Sequence, residues 1–105
     1  MSDNTQNSEE PVNQAHDGTM MTCMEAGTVR EFSVRLADIA SEKRSVARMV
    51  NWLSRGSMVV MVTVVKNGMA SAWVYAPRKG VSWLYCHVVL ANGEHCMRHI
   101  RVTVF

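Results

Sequence analysis

Residues 59–76, "VVMVTVVKNGMASAWVYA", constrain this chain more than any other stretch. β-Branched and aromatic residues dominate both halves, and Asn67-Gly68 stands between them. Asn-Gly is favoured where a two-residue turn needs positive φ at both central positions, so the segment predicts a tight β-hairpin. That turn places Val62 opposite Trp73 and Val60 opposite Tyr75, an apolar face expected to point at the core, with Lys66 and Asn67 at a solvent-exposed tip. A second hairpin is expected from "VSWLYCHVVL" (81–90), a two-residue Asn92-Gly93 turn and "HCMRHIRVTVF" (95–105). Its strands carry Trp83, Tyr85, Val89, Ile100 and Val102 on one face and Leu84, Val88, Leu90 and Met97 on the other. A strand apolar on both faces wants two coverings, supplied either within the monomer or by a second chain.

Before Gly56 the spacing is that of helices. Thr28 followed by Glu31 matches a capping box, and Phe32, Leu36 and Ile39 recur at helical intervals behind it. Ser41 resembles a second N-cap, followed by a stripe of Val46, Met49, Val50 and Leu53. The pattern predicts two short helices, over about 29–37 and 42–54, in a helix-turn-helix arrangement. The face of the second helix opposite that stripe carries Lys43, Arg44, Ala47, Arg48 and Asn51, with Ser45 beside Val46. Arg can donate two hydrogen bonds to guanine, Asn can pair with adenine, and Ser or Lys can hold phosphates. Residues 20–27, "MMTCMEAG", fit a helix, a strand or an apolar strip equally well.

Charge divides along the chain. Residues 1–27 hold five acidic side chains and no Lys or Arg, whereas from residue 28 onward eleven Lys and Arg face four acidic residues. An acidic, polar tail over 1–19 is expected to be disordered, ahead of one basic domain over 20–105. The longest apolar run, 58–65, is far short of the roughly 20 residues of a membrane span, and the N-terminus lacks the pattern of a secretory signal. Cytoplasmic function is expected, with no membrane partner. Cys23, Cys86 and Cys96 lack CxxC spacing and suit reduced thiols. In the expected second hairpin Cys86 faces His99 and Val89 faces Cys96, which puts the thiols on opposite faces. No metal site, no cofactor and no catalytic residue is therefore expected.

The segment "TVREFSVRLADIASEKRSVARMVNWLSRGSMVV" followed by "KNGMASAWVYAP" resembles the winged helix-turn-helix proteins of phages and plasmids, among them small regulators and replication proteins. The resemblance spans about residues 28–83. It implies an α+β winged helix-turn-helix, two or three short helices plus a hairpin wing, here extended by a C-terminal hairpin. Ser41 to Arg48 would enter the major groove, Asn51 and Arg55 would lie near the backbone, and Lys66 and Asn67 would form the wing tip. The expected function is sequence-recognising binding of double-stranded DNA by a homodimer acting as a regulator or replication factor. The alternative is a small inhibitor or adaptor that grips a host protein through its β-hairpins.

Overall fold

A computed structural model describes residues 13–14 and 20–105 of the chain. In order these form β1 (Asn13–Gln14), β2 (Met20–Met24), β3 (Thr28–Arg35), α1 (Leu36–Lys43), β4 (Ala47–Arg55), β5 (Val59–Lys66), β6 (Met69–Ala76), β7 (Gly80–Leu90) and β8 (His95–Val104). Two sheets result, one of five strands ordered β1-β2-β8-β7-β4 and one of three ordered β3-β6-β5. All neighbours are antiparallel except β2 and β8.

The core is a period-two pattern on strands from both sheets. From the five-stranded sheet come Leu84, Cys86, Val88 and Leu90 on β7 with Cys96, Ile100, Val102 and Val104 on β8. The three-stranded sheet supplies Phe32 and Val34 on β3 and Ala70, Ala72, Val74 and Ala76 on β6. Alternation of large and small side chains lets such layers interdigitate without voids. Arg30, buried on β3, ties the sheets together: its Nη1 donates to Thr22 Oγ1 at 2.8 Å and to the Cys23 carbonyl at 2.9 Å, both on β2. Its guanidinium also lies 5.0 Å from the Phe32 ring centroid.

Between β4 and β5 the chain leaves one sheet for the other. Gly56 makes the crossing with φ of 98°, and a Cβ there would lie 2.5 Å from Ser82 Oγ, so only glycine fits. Ser54 Oγ donates to the Met58 carbonyl at 2.9 Å across the bend, and Met58 is buried beneath it.

This largely β architecture overturns the expected winged helix-turn-helix. Where a helix over 29–37 is expected, Thr28–Arg35 is a strand: Arg30, Phe32 and Val34 point inward while Val29, Glu31 and Ser33 alternate outward. Thr28 caps no helix, and its hydroxyl donates to the Glu25 carbonyl at 2.6 Å. The one helix among the described residues is α1, which buries Leu36 and Ile39 and contains Ser41 rather than starting at it. In place of the expected helix over 42–54, Arg44 adopts a left-handed conformation at φ 55° and ends α1, after which 47–55 form an edge strand. The stripe that suggested a helix is not a core face, because Val46, Met49 and Leu53 are all more than half exposed.

The first hairpin has the expected two-residue turn, with Asn67 at φ 53° and Gly68 at 76°, and Val62 does pair with Trp73. An irregularity between Val60 and Val62 then pairs Val60 with Val74 and Val59 with Tyr75. The Val62–Trp73 face points outward rather than to the core, since the inward side of β6 is Ala70, Ala72, Val74 and Ala76.

The second hairpin closes through three residues, Ala91–Gly93, not two. The Leu90 N–H donates to the Glu94 carbonyl at 2.9 Å, and Gly93 takes φ of 90°. A three-residue loop ending on a left-handed glycine is the next most common hairpin closure after the two-residue turns. One extra residue shifts the pairing, so Cys86 faces Arg98 and Val88 faces Cys96. Both thiols are thus buried on the same inward face, contrary to the expectation. Residues 20–27 resolve as β2 and its following turn. The expected disordered tail, residues 1–19, lies outside the described residues except for Asn13 and Gln14, whose backbones pair with Met21 and Met20.

Candidate nucleic-acid interface

The outward face of the five-stranded sheet gathers the chain's most unusual chemistry. Register across β4, β7 and β8 aligns three rows: Arg55, Trp83 and Arg101; then Leu53, Tyr85 and His99; then Asn51, His87 and Met97. Met49, Val89 and His95 form a fourth. No carboxylate occurs in these rows, while two arginines flank a tryptophan in the first. The sheet thus presents a positively charged aromatic strip.

Ring geometry within the strip is ordered by strand spacing. Trp83 and Tyr85, two residues apart on β7, hold their planes 13° from parallel with centroids 6.5 Å apart. Tyr85 meets His99 edge to face at 5.3 Å. His87 stacks on His95 at 5.0 Å, and His87 Nε2 lies 2.8 Å from His95 Nδ1, a hydrogen bond in which one ring donates and the other accepts. Trp83, Tyr85 and His87 are half-buried, with their flanks held by neighbours. Beside Tyr85 lies a shallow hollow of about 420 Å³, open to solvent and lined by Leu53, Ser54, Arg55, Tyr85 and Met97. Rings fixed in this way lose little freedom when a planar ligand stacks on them.

Of the residues singled out from sequence, Asn51 and Arg55 join this face. Ser41 and Lys43 are exposed at the end of α1, and Arg44 is its left-handed cap. Ser45 is a structural residue, its Oγ accepting the Asn92 N–H at 3.0 Å. Arg48 sits at the β4 irregularity between Ala47 and Met49. Lys66 and Asn67 cap the hairpin of the other sheet. Lys66 and Asn67 lie on the other sheet, and in place of a helix carrying Ser41 to Arg48 into a major groove stand the end of α1 and the start of β4. Trp83, Tyr85, His87, His99 and Arg101 belong to this candidate face but are not among the site residues expected from the sequence. Their signal was the odd-numbered alternation of aromatics through 81–89, legible only with the three-residue turn that sets which β8 residues share their face.

Among the described residues no three His, Cys, Asp or Glu side chains converge as a metal site would require. Cys86 is a poor nucleophile, since burial above all pushes its thiol up from 9.0 to about 12, with Arg98 opposing and Cys96 adding to the rise. No helix among the described residues is long and apolar enough to cross a membrane.

The fold and this face define a small two-sheet β protein with an aromatic, basic platform. Comparison with protein-family models gives no match, and no curated protein matches the chain either.

Proposed function

We propose that the protein binds single-stranded nucleic acid on the outward face of the five-stranded sheet. The observation that carries this reading is the Arg55–Trp83–Arg101 row with Tyr85 and His99 beside it, free of carboxylates. Single strands expose both parts that such a strip can hold. Bases stack on aromatic faces at a gain of about 1–3 kcal/mol each, and phosphates pair with arginine. A duplex stacks its base faces on one another, so a platform of rings takes unpaired bases more readily. Trp83 to Val89 spans roughly 20 Å at 3.3 Å per residue, room for on the order of four nucleotides.

Such binding needs no cofactor and no catalytic group. It fits a cytoplasmic replication or RNA-handling role, where single strands are exposed, better than operator recognition. Fluorescence anisotropy with labelled twelve-nucleotide single strands and a matched duplex, at several salt concentrations, tests it. Single strands are expected to bind more tightly, and Trp83→Ala or Tyr85→Ala should weaken them with an unchanged circular dichroism spectrum. A preference for duplex, or affinity indifferent to both substitutions, would refute the reading.

A further inference from the structure

A second surface is independent of the aromatic platform: the free edge of β5. Among the described residues, strand β5 is the outermost strand of the three-stranded sheet and is hydrogen-bonded to β6 alone. Met61, Val62 and Val65 on it are each more than half exposed. No charged residue or proline occurs from Gly56 to Val65. Two other edges are guarded: β3 carries Arg30, Glu31 and Arg35, and β4 carries Arg48 and Arg55 with an irregular start. Charges, irregular pairing and short strands are the usual protections of a sheet edge, and β5 has only the irregularity at Met61 and Lys66 at its turn end.

We propose that β5 pairs antiparallel with β5 of a second copy of this chain, joining the two three-stranded sheets into one of six strands. Register identifies which groups are free. The two-residue turn makes Lys66 and Met69 a hydrogen-bonded pair, so Val64 with Ser71 and Val62 with Trp73 are bonded likewise. Thr63 and Val65 therefore turn their N–H and C=O away from β6, toward the open edge. A two-fold axis at Val64 places each Thr63 opposite the partner copy's residue 65, which closes four backbone hydrogen bonds. It brings the two copies of residue 64 face to face and sets each Lys66 beside residue 62 of the other copy. This register uses the whole regular stretch 62–66 and avoids the irregularity at Met61.

A second copy fits better than an unlike partner for two reasons. The stretch is apolar, uncharged and self-complementary under that two-fold, so two basic chains meet where neither carries charge except at opposite ends. Among the described residues each chain has one such edge, so the pair closes on itself and does not grow into a fibre. A strand pair of this length buries less than the roughly 1,600 Å² of a standard interface, which makes the dimer an exchanging one formed at micromolar concentration. The inference does not depend on nucleic-acid binding.

Sedimentation velocity of the full chain across a wide concentration range tests it, in reducing buffer. The expected result is a shift from 11.8 kDa toward twice that mass as concentration rises. Thr63→Pro should abolish the shift while preserving the fold, because that N–H serves no ladder bond to β6 and proline is tolerated on an edge strand. Val64→Lys serves the same purpose if the proline variant misfolds. A positive result is completed by Val64→Cys in a Cys23→Ser background, which should give a disulfide-linked dimer on oxidation; directly opposed residues of this pair type lie about 4.5 Å apart at Cα, within disulfide reach. Mass fixed at the monomer at every concentration, or a dimer that survives both Thr63→Pro and Val64→Lys, would overturn the proposal and return the edge to a heterologous strand or to no partner.

Discussion

Gly56 is where the two sheets are coupled, and its replacement offers a stability change that can be worked out from the backbone. Gly56→Ala meets two separate costs. At φ of 98° an L-residue bears left-handed strain of roughly 1–2 kcal/mol. The new Cβ would also lie 2.5 Å from Ser82 Oγ, 3.1 Å from Ser82 Cβ and 3.3 Å from Ser82 Cα. Ser82 is 2% exposed on a strand paired on both sides, so it cannot swing away, and forced overpacking of this kind costs about 1–3 kcal/mol. The sum is about 2–5 kcal/mol.

Gly68→Ala isolates the first cost, since a Cβ there meets no atom within 4 Å although φ is 76°. It should cost roughly 1–2 kcal/mol and no more. Ser82→Ala removes the Oγ but leaves the Cβ, so Gly56→Ala placed in that background should recover about 1 kcal/mol, a coupling of the size neighbours show. Urea denaturation followed by tryptophan fluorescence supplies all the values. If Gly56→Ala proves no worse than Gly68→Ala, or shows no coupling to Ser82, the close crossing of β4–β5 over β7 is refuted.

Arg30→Ala should cost about 1–3 kcal/mol by unfolding, because it removes the two hydrogen bonds from β3 to Thr22 Oγ1 and the Cys23 carbonyl on β2; a neutral result would show that water replaces the guanidinium freely. Cys86 holds its proton in the folded state up to about 12, whereas the unfolded thiol loses it near 9.0, so stability should fall with rising pH in that window by about 1.4 kcal/mol per unit. Cys86→Ala should show a shallower decline than the wild type, and alkylation at pH 8 should modify the half-exposed Cys23 long before Cys86. Lys66→Glu, on the other sheet, should leave the affinity for single strands nearly unchanged, while Arg101→Glu should weaken it and reduce the salt slope by about 0.7 for the lost phosphate contact.

The Asn67-Gly68 turn was legible in the sequence; the length of the second turn and the choice between helix and strand upstream of Gly56 were not. Asn67-Gly68 determines its hairpin because few residues adopt positive φ at two successive positions, and nothing tertiary is needed to decide it. Asn92-Gly93 carried the same letters but used Gly93 alone as the left-handed residue of a longer loop, which shifted β8 by one position and gave new partners to Cys86, His87, His95, Cys96 and His99. Thr28–Arg35 was mistaken for a helix because a buried arginine at position 30 disguises a period-two strand. Its true inward set, Arg30, Phe32 and Val34, has a charge where a core residue is expected. In β4 the stripe of Val46, Met49, Val50 and Leu53 matches helical spacing by coincidence, since an edge strand with an exposed apolar face has no hydrophobic alternation to betray it. The aromatic platform was hidden for a related reason. Trp83 and Tyr85 look like core residues until the register shows that Leu84, Cys86 and Val88 already fill the interior.

Two proposed surfaces lie on different sheets, and that separation has a measurable consequence. A dimer closed through β5 consumes an edge of the three-stranded sheet and leaves the outward faces of both five-stranded sheets open. Each dimer then offers two platforms. A single strand long enough to reach both gains the effective concentration of a tethered second site, and such linkage raises overall affinity by about 10²–10⁴-fold without any new contact. A short oligonucleotide that fills one platform gains nothing. Affinity plotted against oligonucleotide length should therefore rise gently and then steeply once the span is reached, at protein concentrations where the dimer is populated. Thr63→Pro should remove the steep rise and leave the short-oligonucleotide affinity as it was, whereas Trp83→Ala should lower both. If Thr63→Pro weakens binding of short strands as much as long ones, β5 belongs to the nucleic-acid site itself, and the assignment of the two surfaces to separate tasks fails.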